Sequence, residues 1–522
     1  MQIRAKRLCL CLVITLSSVA SLLANDFRLV EAAKDRDIES VRSLLKQHLE
    51  VNDAQPDGAT PLAWAVHWDD MEMAGLLISA GAKVNAANEY GVTPLSLACT
   101  NGSAPMVQKL LNAGADPKAT LGTGETVLMT CARTGNVEAV SALVARGADP
   151  NLKEKERGQT AIMWAVAERH PQVVKYLSEH GADVHSRSKS GFTPLLFAAQ
   201  EGDLDSARIL LAAGANVSEA TPGGVTALSV AALNGHEDVA LFLLDKGADP
   251  NGVDAAGVTP LHYAVRIGFL LPGDEFGQKP LVYYQYRPKM LDLIKALLVH
   301  GANPNARVAK RQPLLLSRGI DEIGATPLLL AAADLDVSVM RALAAGGSDP
   351  RIPNKQGITP LMVAAGLSRP KYAMDEEEEK AALESVKLLA ELGADVNAAS
   401  DSGLTAVHAA AYVGASSVIQ FLADKEAKLD VKDKVIGQTP LTIAEGVFPT
   451  GKFLNIKNYS VSTKDGLSVN KPLGFRERAS TLLRRLTGDT TKFTCPGYLF
   501  DPYNHLQPTD LGEVRCSTVA EK

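Results

Sequence analysis

A Thr-Pro-Leu-like tripeptide begins at Thr60, Thr93, Thr126, Thr160, Thr193, Thr226, Thr259, Thr326, Thr359, Thr405 and Thr439, at intervals of 33, 33, 34, 33, 33, 33, 67, 33, 46 and 34 residues. A second ladder keeps step with it, at Gly81, Gly114, Gly147, Gly181, Gly214, Gly247, Gly301, Gly347 and Gly393, most of them followed by Ala-Asp or Ala-Asn. Two registers locked at one period define a single structural module. A fixed period of about 20–50 residues is the mark of stacked repeats, so the chain's 522 residues need not divide into several independent cores.

Each residue type in the module has a physical reason. A threonine hydroxyl caps a helix N-terminus, and Pro beside it occupies the first helical position, where no N–H is needed. Five residues after each Thr stands a small side chain: Ala65, Ala98, Cys131, Ala165, Ala198, Ala231, Ala264, Ala331, Ala364, Ala410 or Ala444. Small residues let helices approach closely. A second helix follows, as in Val239-Ala240-Leu241-Phe242-Leu243-Leu244, and Gly247 supplies the left-handed residue that ends it. Segments such as Asp254-Ala255-Ala256-Gly257 then turn the chain back as a projecting tip. Aromatic residues make up only 5% of the chain, so the core rests on Ala, Leu and Val.

The module resembles the ankyrin repeat, best in Thr259-Pro260-Leu261-His262-Tyr263-Ala264. The resemblance runs from about residue 26 to 487 and implies an all-α repeat solenoid of about twelve helix-turn-helix modules. Phe27 to Leu45 reads as a degenerate first pair, and Arg476 to Leu486 completes the last. Two departures stand out. The His that follows Leu in the family occurs only at His262 and His408, and Glu426-Ala427 lacks the expected Gly.

Longer intervals place insertions near 268–288, 368–380 and 447–475, each between paired helices, and another near 307–322 on the turn side. The first holds Phe269, Phe276, Tyr283, Tyr284 and Tyr286, an aromatic enrichment that either contacts a partner or buries itself on neighbouring helices. The acidic run Asp375 to Glu379 is expected to open an extended second helix, where it complements the dipole, rather than to bind calcium.

Arg4, Lys6 and Arg7 precede an apolar stretch from Leu8 to Leu23, the pattern of a secretory signal peptide, with Ala24 as the last residue removed. Leu22 stands where a small residue is preferred, which leaves a retained anchor as the alternative. The expected layout is a signal peptide over 1–24, a capping repeat over 25–58, the solenoid over 59–487 and a tail over 488–522. An exported location, periplasmic or extracellular, follows. Four cysteines remain after cleavage. Packed helices stand ~8–10 Å apart, further than a disulfide reaches, which predicts that Cys99 and Cys131 are buried small residues without a cross-link. Cys495 and Cys516 bracket a tail with little helical period and are expected to form a disulfide.

Little in the sequence suggests catalysis. Gly446 to Lys452 has the spacing of a phosphate loop, but Phe453 replaces the required Ser or Thr and a helix precedes it where a strand is needed. His67, His180 and His185 read as surface residues. No cofactor or metal site is expected, and the chain is read as no enzyme. A net charge of −6 argues against nucleic acid as a partner.

The resemblance implies binding through turn tips and the exposed ends of first helices. Those positions are His67, Trp68, Arg133, Gln200, Glu201, Arg266 and Tyr412 on first helices, and Tyr90, Arg157 and Phe192 at tips, with Tyr283, Tyr284 and Tyr286 added by the insertion. Trp64 and Trp164 are expected inside the helix stack. The leading expectation is a monomeric scaffold for a protein partner, with no membrane span once the signal is removed. The alternatives are an accessory subunit of an exported enzyme, and an enzyme whose site is built by the insertions and tail.

Overall fold

The computed structural model describes residues 26–265, 269–270, 282–283, 289–311, 321–367, 374–435, 437–444, 472–489, 491–494 and 517–520. The signal segment, most of the insertions and most of the tail lie outside these. The chain divides into two units, Met1–Pro222 and Gly223–Lys522.

The first unit contains six helix pairs: Arg28–Lys34 with Ile38–Lys46, Pro61–His67 with Met71–Ser79, Pro94–Thr100 with Ala104–Asn112, Val127–Thr134 with Val137–Ala145, Ala161–Ala167 with Pro171–Glu179, and Pro194–Glu201 with Leu204–Ala212. Each module's first helix packs on the next one's first helix, and second helices stack most closely where Ala104–Asn112 meets Val137–Ala145 and Pro171–Glu179 meets Leu204–Ala212. The Thr hydroxyl caps as anticipated, accepting from Ala63, Ser96, Met129 and Leu196 backbone N–H groups at Thr60, Thr93, Thr126 and Thr193. Thr160 is the exception; its buried hydroxyl has no partner among the described residues. Ala65, Ala98, Cys131, Ala165 and Ala198 form a column with no solvent exposure, so any larger side chain there overpacks at about 1–3 kcal/mol.

The expectation for two of the cysteines was wrong. Cys99 and Cys131 form a disulfide that joins the first helices Pro94–Thr100 and Val127–Thr134, with Cα atoms 4.5 Å apart and both side chains fully buried. The helix-axis separation was the wrong measure. Two residues that face each other across a column of small side chains have Cα atoms much closer than the axes, within the range a disulfide bridges.

The second unit repeats the pattern over Ala227–Asn234 with Glu237–Asp245, Pro260–Val265 with Met290–Val299, Pro327–Asp334 with Val337–Ala345, Pro360–Met362 with Glu376–Glu391, Ala406–Val413 with Ser416–Asp424, and Pro440–Ala444 with Pro472–Thr487. Inside the first insertion, Phe269–Leu270 pairs antiparallel with Val282–Tyr283. The acidic run does open a long helix: Asp375 accepts from the Glu378 N–H at 2.8 Å, and Glu379 accepts from the backbone and hydroxyl of Ser417 at 2.7 and 2.8 Å. Thr491–Thr494 pairs antiparallel with Ser517–Ala520 in the tail.

Two buried histidines take the place that Ser96, Ser229 and Thr442 fill in three other modules. His262 Nδ1 lies 2.8 Å from the Thr259 hydroxyl and its Nε2 reaches the Ala325 carbonyl at 3.3 Å, and His408 repeats this with Thr405 and Gln438 at 2.9 and 3.2 Å. In modules without the histidine, Ser96 and Thr442 meet their own Thr backbone N–H at 2.9 Å. The missing glycine at Glu426 does not disrupt its turn. Glu426 adopts φ 62° and Ala427 N–H still bonds the Leu422 carbonyl at 2.9 Å, at a conformational cost of about 1–2 kcal/mol.

Asparagines clip neighbouring modules together. Asn151 donates to the Gly181 carbonyl at 2.8 Å and accepts from Asp183 N–H at 2.7 Å, and Asn85 does the same with Gly114 and Asp116 at 3.0 and 2.8 Å. In the second unit Asn251 holds Gly301 and Asn303 at 2.8 and 2.7 Å, and Asn305 holds Gly347 and Asp349 at 3.0 and 2.8 Å. Tips are also joined backbone to backbone, as where Lys189 N–H meets the Arg157 carbonyl at 2.8 Å. These bonds fix the spacing at which surface side chains are presented.

Candidate functional site

At the beginning of the first unit, short helices bring a group of rings and cations to the surface. His67 and Trp68 sit at the end of Pro61–His67, and their rings meet at 4.7 Å. Trp64, one turn earlier, stacks on Trp68 at 6.3 Å and meets His67 edge-on at 5.5 Å. The neighbouring pair supplies two cations: Lys34 over Trp64 and Arg36 over Trp68, each 5.7 Å from the ring centre. Both are within the ~6 Å at which a cation is drawn to a ring face. Trp68 donates to the Lys34 carbonyl at 3.0 Å yet stays 39% exposed, so the ring is anchored while part of it remains accessible.

The expectation for the two other tryptophans needs correction. Trp64 and Trp164 are half-buried rather than inside the stack. The equivalent position is half-buried at Leu97 as well, although Phe197 and Tyr263 are buried there, so the register places a side chain at the margin of the stack and neighbours decide how far it is covered. Trp64 Nε1 donates to Gln55 at 3.0 Å, whereas Trp164 Nε1 has no partner among the described residues. Arg133 lies over the Trp164 ring at 5.4 Å, which joins a predicted contact residue to one assigned to packing.

The remaining predicted positions are scattered. Tyr90 is 71% exposed and Arg157 is exposed, both on tips. Phe192 is half-buried against Phe197, with ring centres 5.5 Å apart. Gln200 donates to Glu201 at 3.0 Å, and Tyr412 in the second unit is half-buried. Arg266, Tyr284, Tyr286, Cys495 and Cys516 lie outside the described residues, and Tyr283 is described only as part of its strand. Sequence reasoning overlooked Lys34 and Arg36. The signal was a Lys-Asp-Arg run at the link of the first helix pair, one module from Trp64 and Trp68.

The titratable groups with clear shifts serve structure. Burial pushes His262 down to about 4, against the opposing pull of the carbonyls of Ala325 and Ala306 and the charge of Asp254. Burial also lowers His408. Burial works against the Glu154 charge, but N–H groups of Gln159, Arg157 and Glu156 and the Lys189 charge outweigh it and hold the carboxyl below its ordinary value. His185 is not a free surface residue either; its Nδ1 lies 2.6 Å from Glu219. Among the described residues no three His, Cys, Asp or Glu side chains converge as metal ligands, and no helix is long and apolar enough to cross a membrane.

The repeat architecture has a direct counterpart among known proteins. A family profile described as ankyrin repeats (3 copies) matches residues 29–121, 106–188, 128–221, 183–254 and 377–465, together more than half of the chain. A single ankyrin repeat profile matches residues 256–308. Such repeats generally mediate protein–protein interaction, and proteins built from them are typically non-enzymatic interaction modules.

Proposed function

We propose, from the premise that this chain belongs to the ankyrin-repeat family, that it is a non-catalytic scaffold binding a protein partner through its tips and the exposed, concave ends of its first helices. The observation that carries this reading is the exposed ring-and-cation group of Trp64, His67, Trp68, Lys34 and Arg36. Tryptophan and arginine dominate the energetics of protein interfaces, and rings already held by neighbours lose little freedom when a partner docks. Arg133 over Trp164 extends the surface within the same unit.

The proposal extends to location and state: an exported, monomeric chain working in the periplasm or outside the cell. A buried Cys99–Cys131 disulfide suits an oxidising compartment and supports this. A second disulfide, Cys495–Cys516, belongs to the same proposal. The register that sets Thr494 opposite Ser517 supports it, since these are the cysteines' sequence neighbours.

The test is capture of a partner from the native envelope by the mature chain, with cross-links mapped onto both proteins. Trp68→Ala and Arg133→Ala are expected each to weaken capture about tenfold or more with unchanged circular dichroism. Undiminished capture by both variants, or cross-links confined to second helices, would refute the assignment of this surface.

A further inference from the structure

Two adjacent tips of the first unit, 153–157 and 187–189, concentrate positive charge. Lys153, Lys155, Arg157, Arg187 and Lys189 are all exposed, and none has a carboxylate within salt-bridge distance among the described residues, although the Lys189 charge acts on Glu154 and the whole chain is acidic at −6. Two of the carboxylates nearby are withdrawn. Glu154 is 6% exposed and accepts from the Glu156, Arg157 and Gln159 N–H groups at 2.6 to 2.9 Å; Glu219 is 8% exposed and turned to His185. Asp149 and Asp183, at the loop roots, are exposed, but each accepts from a backbone N–H of its own loop, that of Asn151 or His185, at 2.9 Å. Glu156, on the first of the two tips, is exposed as well.

The cations are also tied into a strip. Lys153 Nζ donates to the Arg187 carbonyl at 2.8 Å, Lys155 Nζ to Gly122 at 3.2 Å, and Arg187 to Gly191 and Ala220 at 3.0 and 2.7 Å. Each of these bonds but the one to Gly191 crosses from one tip to the next. An ammonium has three donors and a guanidinium five, so every one of these groups keeps N–H bonds for a second acceptor. Anchored cations on two adjacent tips, one module spacing apart, make a paired binding surface. That spacing is ~8–10 Å, the distance between packed helices, and an extended polyproline-type segment rises about 9 Å in each three-residue turn.

We propose that this strip holds an extended acidic segment of the partner, with carboxylates three residues apart facing the two tips. The inference rests on the protein-binding reading above and adds the chemistry of what is bound. The segment lies across the tips, and its carboxylates take the unused N–H donors of Lys153, Lys155, Arg157, Arg187 and Lys189. Attraction of this kind weakens with salt, as for any exposed charge pairing.

The experiment is fluorescence anisotropy of full-length mature protein with labelled peptides. One peptide repeats Glu-Pro-Pro, a second carries the same residues with all glutamates in one block, and a third repeats Lys-Pro-Pro. The first is expected to bind most tightly, to weaken with salt, and to lose about tenfold or more in the double variant Lys155→Glu/Arg187→Glu. Lys153→Gln/Lys189→Gln, a milder change less able to disturb the tips, is expected to give a smaller loss in the same direction. Equal affinity for the block or lysine peptide overturns the inference, as does unchanged binding by both double variants. Tighter binding of a charge-matched polyphosphate, lost in the same variants, also overturns it and identifies a general polyanion surface instead. Partner capture by Trp68→Ala separates the two readings: if peptide binding ignores the tip cations while capture still needs Trp68, the strip fails and the scaffold stands.

Discussion

Replacing both Cys99 and Cys131 with alanine removes a cross-link between residues 32 apart in sequence. For a loop of that length, the chain-entropy relation gives about 3.7 kcal/mol of stabilisation, gained by restricting the unfolded chain. Packing losses should add little. Alanine is the usual residue at the Cys131 position, and the position of Cys99 is filled by Ala132, Ala199 and Ala232 in other modules, all fully buried. Repeat arrays open in segments, so the loss falls on the modules around residues 94–145 rather than evenly along the chain. Guanidinium unfolding, followed by circular dichroism and by hydrogen exchange of those amides, should show lower protection there in C99A/C131A. The reasoning fails if the variant unfolds at the parent midpoint with unchanged exchange. It also fails if unreduced parent, denatured and alkylated, carries label on both cysteines.

Two further outcomes follow from buried polar groups. His262 titrates at about 4 in the folded chain against an ordinary 6.5, so the folded state binds fewer protons between those values. Its contribution is therefore intact above pH 6.5 and is lost as pH falls toward 4, by about 1.4 kcal/mol for each pH unit crossed, with His408 acting in the same direction. His262→Ser keeps a cap like that of Ser96 and should flatten the acid side of a stability-against-pH curve; an unchanged curve would remove the histidine as its cause. Asn151→Ala deletes both bonds of a clip and should cost about 1–3 kcal/mol, seen as faster exchange of the Asp183 amide, and unaltered exchange there would deny the clip its role.

The helix starts were readable because the Thr-Pro pair acts locally, through a cap and a missing N–H, and needs no knowledge of neighbours. The sites that misled are those set by neighbours. Cys99 and Cys131 were judged by helix-axis distance, whereas the disulfide depends on which side chains face each other across the small-residue column. Trp64 and Trp164 were placed inside by register, yet that register lies at the margin of the stack, where Leu97 is half-buried too and Tyr263 is covered. The asparagine clips were legible in principle, from the Asn four residues after each Gly in Gly81 to Asn85, Gly147 to Asn151 and Gly301 to Asn305. The exposure of the tip lysines was not legible, because Glu154 and Glu219 look like their neutralising partners until burial turns those carboxylates inward.

The clips bear on how such a chain can gain or lose length. Asn151 recognises only a carbonyl and an N–H on the following loop, groups that every module offers whatever its side chains. Excising residues 160–192 would bring Gln159 directly before Thr193 and offer Asn151 the Gly214 carbonyl in place of Gly181. Whole-module deletion or duplication is thus a small step for the backbone, whereas one added residue between Gly147 and Asn151 would shift the amide off its mark. Copy number can drift in this architecture while phase cannot.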